Sequence, residues 1–198
     1  MIKVIMQAIR QTLVWTVITG VLYPLAITAI AQLAFHDKAN GSLVERDGKL
    51  VGSELLAQQF TGTKYFWPRP SAATYGTGPT GLNAGSGSNL GPTSAQLQTN
   101  VRSNAKALRE AHKLAADAPV PADLVFASAS GVDPHISPEA ARFQVARVAA
   151  ARGLAEDKVR GLVEQYVQAP QWGFLGEARV NVLLLNLALD AADAKRPL

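Results

Sequence analysis

The sequence predicts an α+β protein: one N-terminal transmembrane helix followed by a single mixed α/β extracytoplasmic domain. Three observations carry that prediction. Residues 12–35 form a charge-free apolar run, basic residues precede it without acids, and helix starts, turn dipeptides and short apolar runs alternate after it. A chain of 198 residues has room for one anchor and one domain, and not for an ion pathway or a motor of its own. The expected organisation is a cytoplasmic N-terminus at 1–11, a span at 12–35 and an extracytoplasmic domain at 36–198.

The span reads TLVWTVITGVLYPLAITAIAQLAF. About 24 residues at about 1.5 Å each give a helix long enough for a hydrocarbon core of ~30 Å. The run exceeds the usual apolar stretch of a cleaved signal, so an uncleaved anchor is expected. Lys3 and Arg10 precede it, which places the N-terminus in the cytoplasm. Pro24 lacks a backbone donor and predicts a kink. Thr12, Thr16, Thr19 and Gly20, followed by Tyr23 and Pro24, mark a small-residue face for packing against a partner helix.

In the domain, Asp47-Gly48 predicts a hairpin turn between strands at 42–46 and 49–51. Ser53 heads an expected short helix, SELLAQQF. The stretch 61–92 is rich in Gly, Pro, Ser, Thr and Asn, yet it holds Tyr65, Phe66, Trp67 and Tyr75. Disordered linkers are poor in aromatic rings, so an ordered loop presented to a partner is expected. Thr93 is read as the cap of a helix running to 118, and DLVFA at 123–127 as a buried strand. Ser137-Pro138-Glu139 is a strong helix start, and Gly153 stops that helix. A further helix is expected at 156–168, and a last one at 180–191 capped by Asn181, with a strand as the lesser alternative for that segment.

Composition excludes several chemistries. The net charge of +4 is mild and the basic residues are interleaved with acids, so nucleic acid is not a predicted partner. The absence of cysteine removes disulfides, thiolate metal sites and a Cys nucleophile. His36, His112 and His135 lack metal-ligand spacing, and no metal site is predicted. Asp133, His135 and the serines at 128, 130 and 137 invite a hydrolase reading. No G-x-S-x-G elbow accompanies them, and they read better as turn and cap residues, so no catalytic residue is predicted. Gly85, Gly87 and Gly91 form a glycine-rich loop ahead of a helix, a generic phosphate-binding arrangement without the spacing of a nucleotide motif.

The motifs also add up to a resemblance. Gly20-Val21-Leu22-Tyr23-Pro24, Gly52-Ser53-Glu54-Leu55-Leu56-Ala57-Gln58 and Tyr65-Phe66-Trp67-Pro68-Arg69-Pro70-Ser71-Ala72 are similar to blocks of the C subunit of the Kdp-type potassium-transporting P-type ATPase. Gly87-Ser88-Asn89-Leu90-Gly91-Pro92, Asp133-Pro134-His135-Ile136-Ser137-Pro138, and Gly176-Glu177 with Arg179-Val180-Asn181-Val182 continue the series in the family's order. Ala129 and Val132 stand where the family more often has Gly and Leu, and Ala178 where Pro is usual. The resemblance implies a single-pass subunit of the bacterial inner membrane with a periplasmic domain. It implies two partners, a channel-like potassium-selective subunit and a P-type subunit that hydrolyses ATP. It further implies a role in stabilising their assembly and in raising the pump's ATP affinity as a catalytic chaperone. The family is commonly described as ATP-binding, and no intrinsic cofactor is otherwise expected. Motif membership nominates Arg69, Tyr75, Asn89, Asp133, His135, Arg179 and Asn181 as interface residues.

Overall fold

The computed structural model describes residues 1–72, 74–75, 82–84 and 86–194, with backbone alone at 74–75, 82–84 and 194. The chain divides into two compact units, Met1–Val44 and Glu45–Leu198. The first is helical. Helix α1 (Ile2–Val17) passes through a π-helical turn (Ile18–Leu22) into α2 (Tyr23–Ala34), and a single turn, α3 (His36–Ala39), follows. Ile2–Ala34 is long and apolar enough to cross a membrane, and none of it is buried. The irregularity expected at Pro24 takes the form of the π turn just before it. Proline has no N–H to return to the preceding turn, and a wider turn there accommodates the loss. Thr19 Oγ1 donates to the Trp15 carbonyl at 2.6 Å, so this polar tip is satisfied within its own helix.

In the second unit, strands β1 (Leu43–Arg46, which begins in the first unit) and β2 (Lys49–Ser53) form a two-stranded sheet. Asp47 and Gly48 both have positive φ, 53° and 71°, as a tight hairpin turn requires. Strands β3 (Thr74–Tyr75) and β4 (Leu82–Ala84) form a second small sheet. A third sheet has the order β5 (His135–Ile136), β7 (Arg179–Asn181), β6 (Val167–Gln168), all antiparallel. Four helices accompany these strands: α4 (Ala95–Ala111), α5 (Pro138–Arg152), α6 (Glu156–Gln165) and α7 (Val182–Ala194).

Helix α5 organises the core. Ser137 Oγ accepts from the Ala140 N–H, Pro138 occupies the first turn with Glu139, Arg152 lies in the last turn, and Gly153 closes the helix at φ 62°. A hydroxyl cap of this kind contributes about 1 kcal/mol. The alanine-rich body lets neighbours approach closely, and Ala140, Ala141, Val145 and Val148 are fully buried. Helix α5 packs on α6 and α6 on α7, and Val180, Leu185, Leu189 and Phe66 complete the cluster.

Several expectations are corrected. The stretch SELLAQQF is a turn, because the Ala57 N–H donates to the distant Val132 carbonyl and Ser53 Oγ takes the Leu55 N–H. The cap of α4 is Ser94, not Thr93, and its hydroxyl accepts from Leu97 N. That helix stops at Ala111 and does not reach 118. Lys113 adopts φ 54°, and Arg109 Nε reaches forward to the Ala118 carbonyl. DLVFA is not a strand: Ala122–Leu124 is a 3-10 turn that buries Leu124, with Val125 buried just after it. The helix expected at 156–168 ends at Gln165 and gives way to β6. The last segment begins as strand β7 and continues as helix α7, with Asn181 Oδ1 accepting from Leu184 N at 3.2 Å.

Candidate functional site

The segment 62–71 has no strand or helix of its own, yet it is tightly held. Asn186 Oδ1 accepts from the Phe66 N–H at 2.8 Å, and Asn186 Nδ2 donates to the Phe66 carbonyl at 3.0 Å. Gln144 repeats the pattern one residue on, accepting from Trp67 N at 2.8 Å and donating to its carbonyl at 3.1 Å. Two buried amides thus substitute for a neighbouring strand. Phe66, wholly buried, fills the core between them.

Arg147 reinforces the clamp. Its guanidinium donates to the Thr63 carbonyl, to Gln144 Oε1 and to His112 Nε2, and lies 4.1 Å from the Trp67 ring centroid. Burial pulls its pKa down to about 10, so it stays a cation at neutral pH. His112 accepts that N–H and stacks on Phe143 at 4.5 Å. Burial, with the Arg147 charge second, lowers its pKa to about 4. Arg152 secures the start of the segment through the Lys64 carbonyl while pairing with Asp190 and Asp193.

Fastened in this way, the segment delivers Arg69 to a cleft of about 310 Å³ lined by Arg69, Asp123, Asp133, His135, Glu177 and Arg179 among others. Arg69 Nη1 donates to Asp133 Oδ2 at 3.0 Å. Asp133 Oδ1 accepts from the His135 backbone N–H at 3.0 Å, and His135 Nδ1 stands 3.7 Å away from it. The His135 side chain, then its backbone N–H and Arg69, hold the Asp133 carboxyl down to about 2 in spite of burial. Arg69 Nε is buried and finds no acceptor among the described residues. Arg179 is exposed on β7 and donates from Nε to Gln168 Oε1 at 3.2 Å. The result is an open cleft with cationic and anionic side chains next to one another.

Four of the seven nominated interface residues therefore converge: Arg69, Asp133, His135 and Arg179. Asn181 does not join them. It is 3% exposed and divides its amide between the Glu54 carbonyl and the Leu184 N–H. Asn89 sits at φ 52° in the glycine-rich loop. The Tyr75 backbone pairs in β3 with Leu82, and its side chain lies outside the described residues. Of the glycines, Gly85 lies outside the described residues. Gly91 is uncrowded. A Cβ on Gly87 would stand 2.4 Å from the Ala129 carbonyl oxygen, so this glycine serves a close backbone approach. That neighbour is an acceptor, where a phosphate cradle needs donors.

The serines have structural tasks: Ser137 Oγ caps α5, Ser128 Oγ accepts from Gly131 N, and Ser130 Oγ from Val132 N. No cluster of three metal-ligating side chains occurs among the described residues. Thr12, Thr16, Thr19, Gly20, Tyr23 and Pro24 are all exposed along the apolar helix.

Sequence reasoning missed Asp123 and Glu177 at the cleft, and Gln144, Arg147 and Asn186 behind it. The available signal was a polar residue interrupting an apolar helix face, as in FQVARV and LLNLAL.

Comparison with known proteins gives one answer. The family described as K+-transporting ATPase, c chain (KdpC) matches residues 5–191. A potassium-transporting ATPase KdpC subunit of Methylococcus capsulatus is 54% identical over 193 residues, covering 96% of this chain and 99% of the relative. The subunit of the same name from Dechloromonas aromatica is 51% identical over 191 residues, covering 94% and 96%. That of Polaromonas naphthalenivorans is 54% identical over 191 residues, covering 96% and 95%. With the match running through the long apolar helix, the clamped aromatic segment and the cleft, the chain belongs to the KdpC family, the c chain of the K+-transporting ATPase.

Proposed function

We propose that this chain is a non-catalytic accessory subunit that stabilises the assembly of a potassium-selective, channel-like subunit with an ATP-hydrolysing P-type subunit. In this reading residues 12–35 cross the bacterial inner membrane once. The N-terminus is cytoplasmic and the domain periplasmic. The Thr12/Thr16/Thr19/Gly20 face, with Tyr23 and Pro24 beyond it, packs on a partner helix. The cleft of Arg69, Asp133, His135 and Arg179 holds a charged loop of a partner. The chain raises the pump subunit's ATP affinity by fixing that subunit's conformation from across the membrane, without contacting the nucleotide.

The supporting observation is the convergence of those four side chains, from three separate stretches, on one cleft whose backbone is secured from behind by Gln144 and Asn186. The test uses Arg179→Ala, since Arg179 is exposed and its hydrogen bond within the domain is to Gln168. In the coexpressed complex this variant should recover its partners at least about tenfold less well, as expected for truncating an interface charge pair. Potassium-stimulated ATP hydrolysis should fall in parallel. Full recovery and full activity in both Arg179→Ala and Arg69→Ala would sink the reading.

A further inference from the structure

The connection between β6 and β7 has a form that the cleft does not explain. The chain leaves β6, turns tightly and returns. Gln171 and Leu175 exchange both backbone hydrogen bonds at 2.9 Å, and Gly173 N donates to the Pro170 carbonyl at 2.9 Å. Trp172 and Gly173 occupy the left-handed region at φ 53° and 82°, and Gly176 follows at 80°. A bulky side chain such as tryptophan is uncommon there. All of 171–177 is exposed, with Trp172 at 77% and Phe174 at 74%. Two large rings and part of Leu175 thus project into solvent on a backbone already fixed by its own hydrogen bonds. The base of the hairpin is anchored by the wholly buried Val180 and by the Arg179–Gln168 pair.

We propose that this turn is a docking knob, and that Trp172 and Phe174 enter an apolar pocket on another chain of the same K+-transporting ATPase. The inference rests on the accessory-subunit reading above. Three observations favour a protein pocket. Exposed Trp and Phe on a rigid support match the anchors that dominate protein interfaces, and the preformed turn lowers the entropy lost on docking. The chain leaving the turn and entering β7 supplies Glu177, Ala178 and Arg179 to the cleft, so knob and cleft adjoin along the backbone. From 167 to 176 there is no charge, and Glu177 and Arg179 offset each other beyond it, so nothing here attracts an anionic bilayer.

The experiment uses the full chain, tagged and coexpressed with the remaining chains, then extracted in mild detergent. Trp172→Ala/Phe174→Ala should reduce recovery of the other chains at least tenfold. The melting temperature of the tagged chain should be unchanged, since both rings are already in solvent. Trp172→Phe should restore most of the recovery. Undiminished recovery with the double variant overturns the proposal. If recovery is undiminished and brominated phosphatidylcholine in nanodiscs quenches Trp172 in the isolated full chain carrying Trp15→Phe and Trp67→Phe, the knob belongs to the bilayer. Loss of assembly in Arg179→Ala but not in the double variant refutes the knob alone, whereas intact assembly in the double variant, in Arg179→Ala and in Arg69→Ala refutes the cleft as well.

Discussion

Replacing Asn186 with alanine tests the clamp on which the cleft depends. Asn186 is 1% exposed and Phe66 wholly buried, and the amide satisfies both the N–H and the carbonyl of Phe66, at 2.8 and 3.0 Å. Alanine leaves two buried backbone groups without partners. Each costs about 1–3 kcal/mol, so about 4 kcal/mol in all is expected, a large part of a typical folding free energy of about 5–15 kcal/mol. In a chain of this size about 1 kcal/mol corresponds to about 2–4 °C, which gives a fall in melting temperature on the order of 10 °C. The assay is thermal unfolding of the solubilised full chain with Trp15 and Trp172 replaced by phenylalanine, so that Trp67 alone reports. Acrylamide should also reach Trp67 more readily in the folded variant, because the segment next to it is loosened. A fall below about 2 °C, with quenching unchanged, would refute the claim that these amides hold the segment in place.

Two further predictions follow from the same framework. Gly87→Ala should lower stability by about 1–3 kcal/mol, read as a lower urea midpoint, because the new Cβ meets the Ala129 carbonyl oxygen and the backbones must part. For His112 burial first and the Arg147 charge second pull the imidazole pKa down from its ordinary 6.5 to about 4, so the ring is held neutral in the fold. The neutral form is favoured in the native state, so this contribution is complete above 6.5 and is lost as pH falls from 6.5 towards 4. Discounted for partial exposure, the loss amounts to about 1–2 kcal/mol. His112→Gln should flatten that step in stability against pH, and an imidazole titration of His112 near 6.5 would contradict the environment described.

The parts of the fold that were legible are those specified by neighbours in sequence. Ser137-Pro138-Glu139 and Gly153 delimited α5 correctly because cap, proline, acid and left-handed glycine each act within one turn of the helix end. Asp47-Gly48 specified its hairpin in the same local manner. Where a distant partner decides, the reading failed. The expected helix after Ser53 was lost to the hydrogen bonds from Ala57 N to Val132 and from Leu55 N to Ser53 Oγ, and the run at 123–127 buries Leu124 and Val125 from a turn while Phe126 stays exposed. The cleft was partly legible through its motifs, since Asp133-Pro134-His135 and the arginines at 69 and 179 stand in recognisable blocks. Its support was hidden, because Gln144 and Asn186 act on residues 77 and 120 positions away. The projecting Trp172 and Phe174 lay in a short connection and left no periodic trace.

That long separation also sets an order of events during synthesis. Phe66 and Asn186 are 120 residues apart. At roughly 5–20 residues per second, the ribosome needs on the order of ten seconds to make the intervening chain. Until α7 has emerged, segment 62–71 lacks two of the hydrogen bonds that place Phe66, and Arg69 has no fixed route to Asp133. A nascent chain therefore has the cleft's support complete only after Asn186 has left the ribosome, and one truncated before it lacks both Phe66 bonds. Late closure of this kind would act as a proofreading step under the proposed function, because only copies translated past Asn186 hold segment 62–71 in place.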